Sequence, residues 1–312
     1  MDTLSKILDL LHFNGTFYFA TNFHTPWSVE VPKYKNVARF HYVTQGSCWV
    51  RIEGVEESKL LSSGDIIVIP HGARHILSDT PERAPISLDE AFTQTSYDGQ
   101  GVFQIGDGHS TYGTQLVCGH FEFAELFKHP LISHLPDHII KHENDGIDFS
   151  WMKDTLKFLS HTATTQHDGS SAIIKRLSEV IFIQAVRFWN TQQNSTKGFI
   201  AALNDQHLSN GLRAFHDNYA ADWTVEKLAR ESSMSRSLFA DRFKQYLDLS
   251  PMQYVTNWRM ENARQVLIAS DLPLDSIAEK VGYESAAAFS KAFKRTFNRA
   301  PGEYRRCAAV NA

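Results

Sequence analysis

Two sets of residues in this chain have the types and spacing to do chemistry. The first is a group of thiols and imidazoles in the N-terminal part: His41, Cys48, His71, His75, Cys118 and His120. Cys118-x-His120 puts two soft donors on one face of a strand, and the other four lie on neighbouring candidate strands. Thiolate and neutral imidazole are donors for zinc or copper, so one reading is a metal-sensing site with His75, Cys118 and His120 as weak ligand candidates. A redox response of Cys48 and Cys118 is a second reading, and a small-molecule effector held in the same place is a third. The plain reading beside them is two buried thiols acting as small apolar groups, with His71 and His75 at a loop rim.

The second set lies near the C-terminus and is defined by a repeat. Leu228/Ile277 and Ala229/Ala278 are 49 residues apart, whereas Ser235/Ser285, Phe239/Phe289, Phe243/Phe293 and Pro251/Pro301 are 50 apart. The change of offset falls in a turn, where an insertion disturbs least. Each copy reads as a short helix, a tight turn and a second helix opened by Ser, which gives two helix-turn-helix units. Between them Ser250-Pro251, an N-cap and a first-turn proline, opens a long helix through Tyr254, Trp258, Ala263, Val266 and Leu267. Asp205 is expected to cap a helix through Leu208, Leu212, Phe215 and Tyr219, and Thr224 to cap the next.

In the second helix of the first copy, Leu238, Phe239, the stem of Arg242, Phe243 and Tyr246 are expected to anchor it to the domain. That leaves Arg236, Ser237, Ala240, Asp241 and Lys244 facing outward. In the second copy Phe289, Phe293 and Phe297 anchor, leaving Ala286, Ala287, Ser290, Lys291 and Lys294 outward. Such helices enter the major groove of duplex DNA by their N-terminal ends. Arg236 and Lys244 suit phosphate or guanine, Ser237 either base type, Ala240 a thymine methyl and Asp241 a cytosine amino group. The varied first face is expected to discriminate bases, and the Ala-rich second face to grip backbone and read shape. The bland alternative is a helical bundle whose repeats only stack on each other.

Composition sets the frame around these sets. At 312 residues, 42% hydrophobic and 21% charged, the chain is expected to fold as two ordinary globular domains. No apolar run approaches the roughly 18–20 residues of a bilayer span, so no membrane partner is expected. Residues 1–11 read as an amphipathic helix, not a signal peptide. Three cysteines make no disulfide framework, which points to a cytoplasmic chain with reduced thiols. Net charge is −4, yet Lys280–Arg306 holds 7 basic and 2 acidic residues, the modest positive footprint of a binder with few phosphate contacts per module.

Alternation over residues 37–77, with Gly and Asp punctuation, predicts a small antiparallel β-barrel or sandwich. Residues 78–113, rich in Gly, Ser, Thr and Asp, predict a long loop, and strand character returns at 114–123. Phe149–Ser160 and Ala172–Trp189 (Ile173, Leu177, Val180, Ile181, Ala185 and Phe188) predict two amphipathic helices packed behind the barrel, the second of them also a candidate dimer surface. The division expected is a regulatory domain at 1–190, a polar linker at 191–202 and a helical domain at 203–307.

Two resemblances follow from these residues. Gly64, Pro70-x-Gly72 and His75 resemble the second motif of the cupin fold, a jelly-roll barrel, although Asp79 stands where that family often has Asn. The first cupin motif is missing: Arg39 occupies the Glu position and 32–36 offers no His, which argues against a metalloenzyme. The stretch Ile277–Phe297, with Gly282, Tyr283, Pro301 and Tyr304-Arg305, closely resembles the signature of the AraC-type transcription regulators. The segments Phe40-His41, Gly46–Trp49, Pro70–Gly72 and Leu116–Gly119 resemble its subgroup with an N-terminal cupin-like domain.

The resemblance implies an α+β two-domain regulator, usually an activator. A β-barrel followed by two helices would sense a ligand or condition and often dimerise, and the all-α C-terminal domain would bind promoter DNA and contact RNA polymerase. Its two groove-entering helices would sit about 34 Å apart. No cofactor is called for, and a metal ion or small-molecule effector at the barrel is the candidate ligand. The alternative is a cupin metalloenzyme with an accessory helical domain.

Overall fold

The computed structural model describes residues 2–11, 14–99, 101–106, 113–123, 129–143, 154–155, 158, 168–192 and 197–310. The chain divides into two compact units. One comprises Met1–Leu11, Leu126–His134 and Asn194–Ala312, and the other His12–Glu125 and Leu135–Gln193.

In chain order the elements begin with α1 (Thr3–Leu11), β1 (Asn14–Phe23), β2 (Ser28–Val31), β3 (Val37–Gln45), β4 (Ser47–Ile52), β5 (Lys59–Ser62), β6 (Ile66–Ile69), β7 (His75–Ser78) and β8 (Ile86–Ser87). There follow α2 (Leu88–Thr95), β9 (Val102–Ile105), β10 (Gln115–Glu122), α3 (Pro130–Ser133), β11 (Ile139–Lys141) and α4 (Ser170–Gln192). The C-terminal helices are α5 (Phe199–Asn204), α6 (Leu208–Asp217), α7 (Val225–Glu231), α8 (Arg236–Leu247), α9 (Pro251–Ala269), α10 (Leu274–Lys280), α11 (Ala286–Phe297) and α12 (Pro301–Val310).

The strands form a six-stranded sheet, β11-β6-β3-β10-β1-β9, and a five-stranded sheet, β5-β4-β7-β2-β8. Pairing is antiparallel except for β1 with β9 and β2 with β8. The inner faces enclose Phe23, Trp27, Val43, Val50, Leu61, Ile67, Ile69 and Phe103 with both Cys48 and Cys118. This two-sheet arrangement fits the β-barrel or sandwich that alternation predicts, with one correction. The expected loop at 78–113 carries β8, α2 and β9, because Ser87 caps α2 through Glu90 N and Phe103 is fully buried against Phe23 and Tyr97.

Helix α4 covers the outer face of the larger sheet, with the Phe182 ring 5.1 Å from Phe121 and 5.3 Å from Phe123. Its buried stripe is Ser178, Ile181, Phe182, Ala185, Val186 and Trp189, with Phe188. Ile173 and Val180, expected in that stripe, are instead 40% and 36% exposed. Of the expected helix at 149–160, only Asp154, Thr155 and Phe158 are described, all helical; the rest lies outside the described residues.

In the other unit, caps set the helix starts. Thr224 accepts from Lys227 N, Ser235 from Leu238 N, and Ser285 from Ala288 N. Ser250 and Gln253 form a reciprocal capping box at the start of α9. Asp205 acts from two residues ahead of the N-cap, His207: its Oδ1 accepts from His207 N (3.0 Å) and Leu208 N (2.9 Å). The helix ends at Asp217, short of Tyr219. One apolar cluster gathers Met260, Ala263 and Leu267 of α9 with Ile277, Phe289, Phe293 and Phe297 of the second copy. Helix α1 also belongs to this unit, where Lys6 Nζ lies 2.5 Å from Asp217 Oδ1 and Leu10 O accepts from Gln265 Nε2.

Candidate nucleic-acid interface and barrel core

The two copies are alike at the level of the turn itself. After α7, Ser233 (φ 53) and Met234 donate to Arg230 O and Ala229 O; after α10, Gly282 (φ 79) and Tyr283 donate to Glu279 O and Ala278 O. These pairs are all 49 residues apart, and the Ser caps are 50 apart, so the inserted residue is Glu284. A Cβ on Gly282 would stand 2.3 Å from Ala220 O, so the left-handed turn and the close approach both demand glycine. Both second helices end on left-handed residues, Asp248 and Asn298, again 50 apart.

Phe239 and Phe243 anchor α8, and Phe289, Phe293 and Phe297 anchor α11, as patterning predicts. Leu238 does not: it is 52% exposed, and Leu247 takes its place in the core. Arg242 and Tyr246 are half-buried, both reaching Asp205 Oδ2, with Tyr246 Oη at 3.2 Å. Burial alone would raise the Asp205 carboxyl, but the Leu208 and His207 N–H groups and Arg242 outweigh it and hold the carboxyl below the usual range.

Arg236, Ser237, Asp241 and Lys244 are exposed on α8 and Ala240 is half-buried; on α11, Ala287, Lys291 and Lys294 are exposed and Ala286 and Ser290 half-buried. Arg236 Nε lies 2.7 Å from Glu226 Oε1 on α7, an exposed pair that patterning does not reveal.

In the barrel, β3 and β10 set Cys118 directly opposite His41, and His120 opposite Arg39. Cys118 Sγ is 3.1 Å from His41 Nδ1, His41 Nε2 is 2.8 Å from His75 Nε2, and His75 Nδ1 is 2.8 Å from Ala73 O. The carbonyl can only accept, so His75 Nδ1 carries the proton and its Nε2 accepts from His41 Nε2–H. His41 Nδ1 is then bare and accepts the Cys118 thiol proton. The whole row is therefore assigned in its neutral form. Burial supports the assignment: desolvation drives His41 well below its ordinary value, lowers His75 to about 4 and raises Cys118 far above the usual thiol range. Cys48 is pushed up to about 12, by burial first and the Asp65 charge second. Neither thiol is ionised at neutral pH, and only a thiolate binds metal or attacks strongly.

The other candidates stand apart. His71 is exposed, with Nε2 donating to Leu135 O (2.8 Å). His120 is buried with Nε2 2.9 Å from Glu122 Oε1, and burial lowers its pKa against the opposing Glu122 charge. Among the described residues, no group of three or more His, Cys, Asp or Glu side chains is placed to hold a metal ion. In the sequence Arg39 is marked only by the motif position it breaks. The structure buries it to 3% exposure, two residues along the strand from His41, with its guanidinium 4.3 Å from the Tyr34 ring centre. Strand alternation puts it on the face of His41, and that period was the available signal.

Comparison with known proteins supplies the wider context. A cupin domain model matches residues 2–191 and a helix-turn-helix domain model matches residues 228–307. The chain is 32% identical to the HTH-type transcriptional regulator AlkR of Acinetobacter baylyi, over 98% of this chain and 99% of that one. It is 28% identical to a putative AraC-like transcription regulator of Streptomyces lividans, over 98% of each chain. The RCS-specific HTH-type transcriptional activator RclR of Escherichia coli is 28% identical, over 98% of this chain and 97% of its own. These relatives are named as regulators of transcription, which sets aside the metalloenzyme alternative. No helix among the described residues is long and apolar enough to cross a membrane.

Proposed function

For a chain that belongs to the AraC-type transcription regulators with an N-terminal cupin domain, we propose that α8 and α11 enter successive major-groove segments of promoter DNA and read its sequence. The duplicated helix–turn–helix carries this reading, since caps, turn hydrogen bonds, anchors and left-handed ends all repeat while the outward faces differ. Arg236, Ser237, Ala240, Asp241 and Lys244 discriminate bases. Ala286, Ala287, Ser290, Lys291 and Lys294 grip the backbone and read groove shape. The regulator acts in the cytoplasm as an activator and homodimer that contacts RNA polymerase.

Binding to promoter fragments should weaken steeply with salt and be lost in the Arg236→Ala, Lys291→Ala double variant. Equal affinity for every genomic fragment and for bulk DNA would overturn the reading.

The controlling signal acts at the Cys118–His41–His75 row, with Cys48 in the same core. Oxidation of Cys118 or capture of a soft metal ion requires the thiol first to give up its proton, as would an effector that displaces it, and each would break the hydrogen-bond order along the row. A relative named as an RCS-specific activator favours the oxidant. Replacing Cys48 and Cys118 by Ser should abolish the response to oxidant while DNA binding without oxidant is kept. An unchanged response rejects control at these thiols.

A further inference from the structure

Leu238 is the third residue of α8 and stands 52% exposed, on a helix whose Phe239, Phe243 and Leu247 are almost fully buried. The 3.6-residue repeat sets it beside Asp241 and Gln245, on the flank turned away from that core. Its exposed neighbours, Ser237, Asp241 and Gln245, are all polar. A protein-docking patch would need contiguous apolar surface, and among the described residues no other large apolar side chain of α8 is exposed beside this leucine. Fifty residues on, the second copy exposes another alkyl group at the equivalent place, Ala288, beside Ala287.

We propose that Leu238 is a specificity-determining residue that reads the 5-methyl group of a thymine in the major groove, with Ala288 as its shorter counterpart. The inference rests on the DNA-binding reading above. Three observations point to this occupant. Leu238 lies in the first turn of α8, and such helices enter the groove by that end. Arg236 and Lys244, exposed on the same helix, supply the positive charge that phosphates on the groove walls require. Leucine cannot hydrogen-bond, and the thymine methyl is the apolar group that base edges offer there. Leucine reaches further than alanine, so the thymine preference is stronger in the half-site read by α8 than in that read by α11.

The test uses the full chain and duplexes that it selects from a random pool. Each thymine of a selected duplex is replaced singly by deoxyuridine, which removes the methyl and keeps the base pair. One replacement in the α8 half-site should weaken wild-type binding about four-fold, the value of one buried methyl. Leu238→Ala should respond clearly less to that replacement, and Leu238→Met, which keeps the longer alkyl group, should respond like the wild type. Circular dichroism melts of the variants control for folding.

Two outcomes overturn the proposal while leaving DNA recognition intact. One is the same deoxyuridine profile in wild type and Leu238→Ala. The other is unchanged DNA affinity in Leu238→Ala with altered transcription in vitro, which assigns the leucine to a protein contact. Failure to select any duplex above bulk DNA would remove the DNA-binding reading and this inference with it.

Discussion

Cys118 is held as a thiol by burial, with its proton directed at His41 Nδ1, and His41 is held in turn by His75 and the Ala73 carbonyl. Cys118→Ser keeps a donor for His41 Nδ1, whereas Cys118→Val leaves a buried acceptor unpaired. The valine variant should therefore lose about 1–3 kcal/mol of stability and the serine variant clearly less, in denaturant titrations of the barrel signal. The imidazoles also set an acid limit. His75 has a folded pKa of about 4 against an ordinary 6.5, so the unfolded chain binds more protons between these values. Its contribution is complete above about pH 6.5 and is lost as pH falls towards 4. In His75→Gln the melting temperature should fall less steeply over that window; an identical acid limb would show that His75 is charged in the folded chain.

At the scale of elements, the two turns do the same job with different residues. Gly282 has φ 79 and no room for a Cβ, whereas Ser233 carries φ 53 with a side chain present. Gly282→Ala should destabilise the C-terminal unit by about 2 kcal/mol or more, and Ser233→Gly should be neutral or stabilising by up to about 1 kcal/mol, both read by thermal melts. The α7–α8 pair carries a different device. Arg236, proposed above to contact DNA, is engaged by Glu226, and that contact is exposed at both ends. Glu226→Gln should leave the melting temperature unchanged and tighten DNA binding at low salt. Weaker binding would mean that the pair positions Arg236 productively.

Across the whole molecule, sequence order and packing part company. The C-terminal unit takes in α1 and the His129–His134 segment. Tyr254 Oη on α9 sits 3.1 Å from His129 Nε2 and 2.8 Å from His216 Nε2, and α1 reaches the same place through Lys6 to His216 O at 3.3 Å. Arg259 binds three backbone carbonyls: Tyr219 (2.9 Å) and Ala221 (2.5 Å) ahead of the first copy, and Gly282 (3.0 Å) in the second. It is the joint between the two helix pairs. Arg259→Ala should cost about 3 kcal/mol by orphaning those carbonyls, and Arg259→Lys should rescue little, since an ammonium cannot span the fork. A fragment of residues 203–307 should melt below one that retains α1 and the 129–134 segment, and adding Tyr254→Phe should cost less in the shorter fragment. Equal melting of both fragments would mean that α1 and the segment add nothing to this unit.

Local rules carried most of what the sequence determined. The Ser caps, the Ser250-Pro251 start, the Phe anchors and the turn insertion are written in residues within a few positions of each other, so the double helix–turn–helix and the family were legible without coordinates. Strand alternation likewise marked the barrel and put Cys118 and His120 on one face. Three things needed the tertiary structure. Leu238 looks like an anchor at helical spacing, and only the position of the core beneath α8 leaves it in water. The 78–113 stretch has loop composition, yet Phe103 and α2 are recruited by the barrel interior. Cys118, His41 and His75 are far apart in sequence and on two different sheets, so no spacing rule joins them. Register and sheet packing did so, because long-range contacts are set by which apolar faces close on each other, and that is a property of the whole chain.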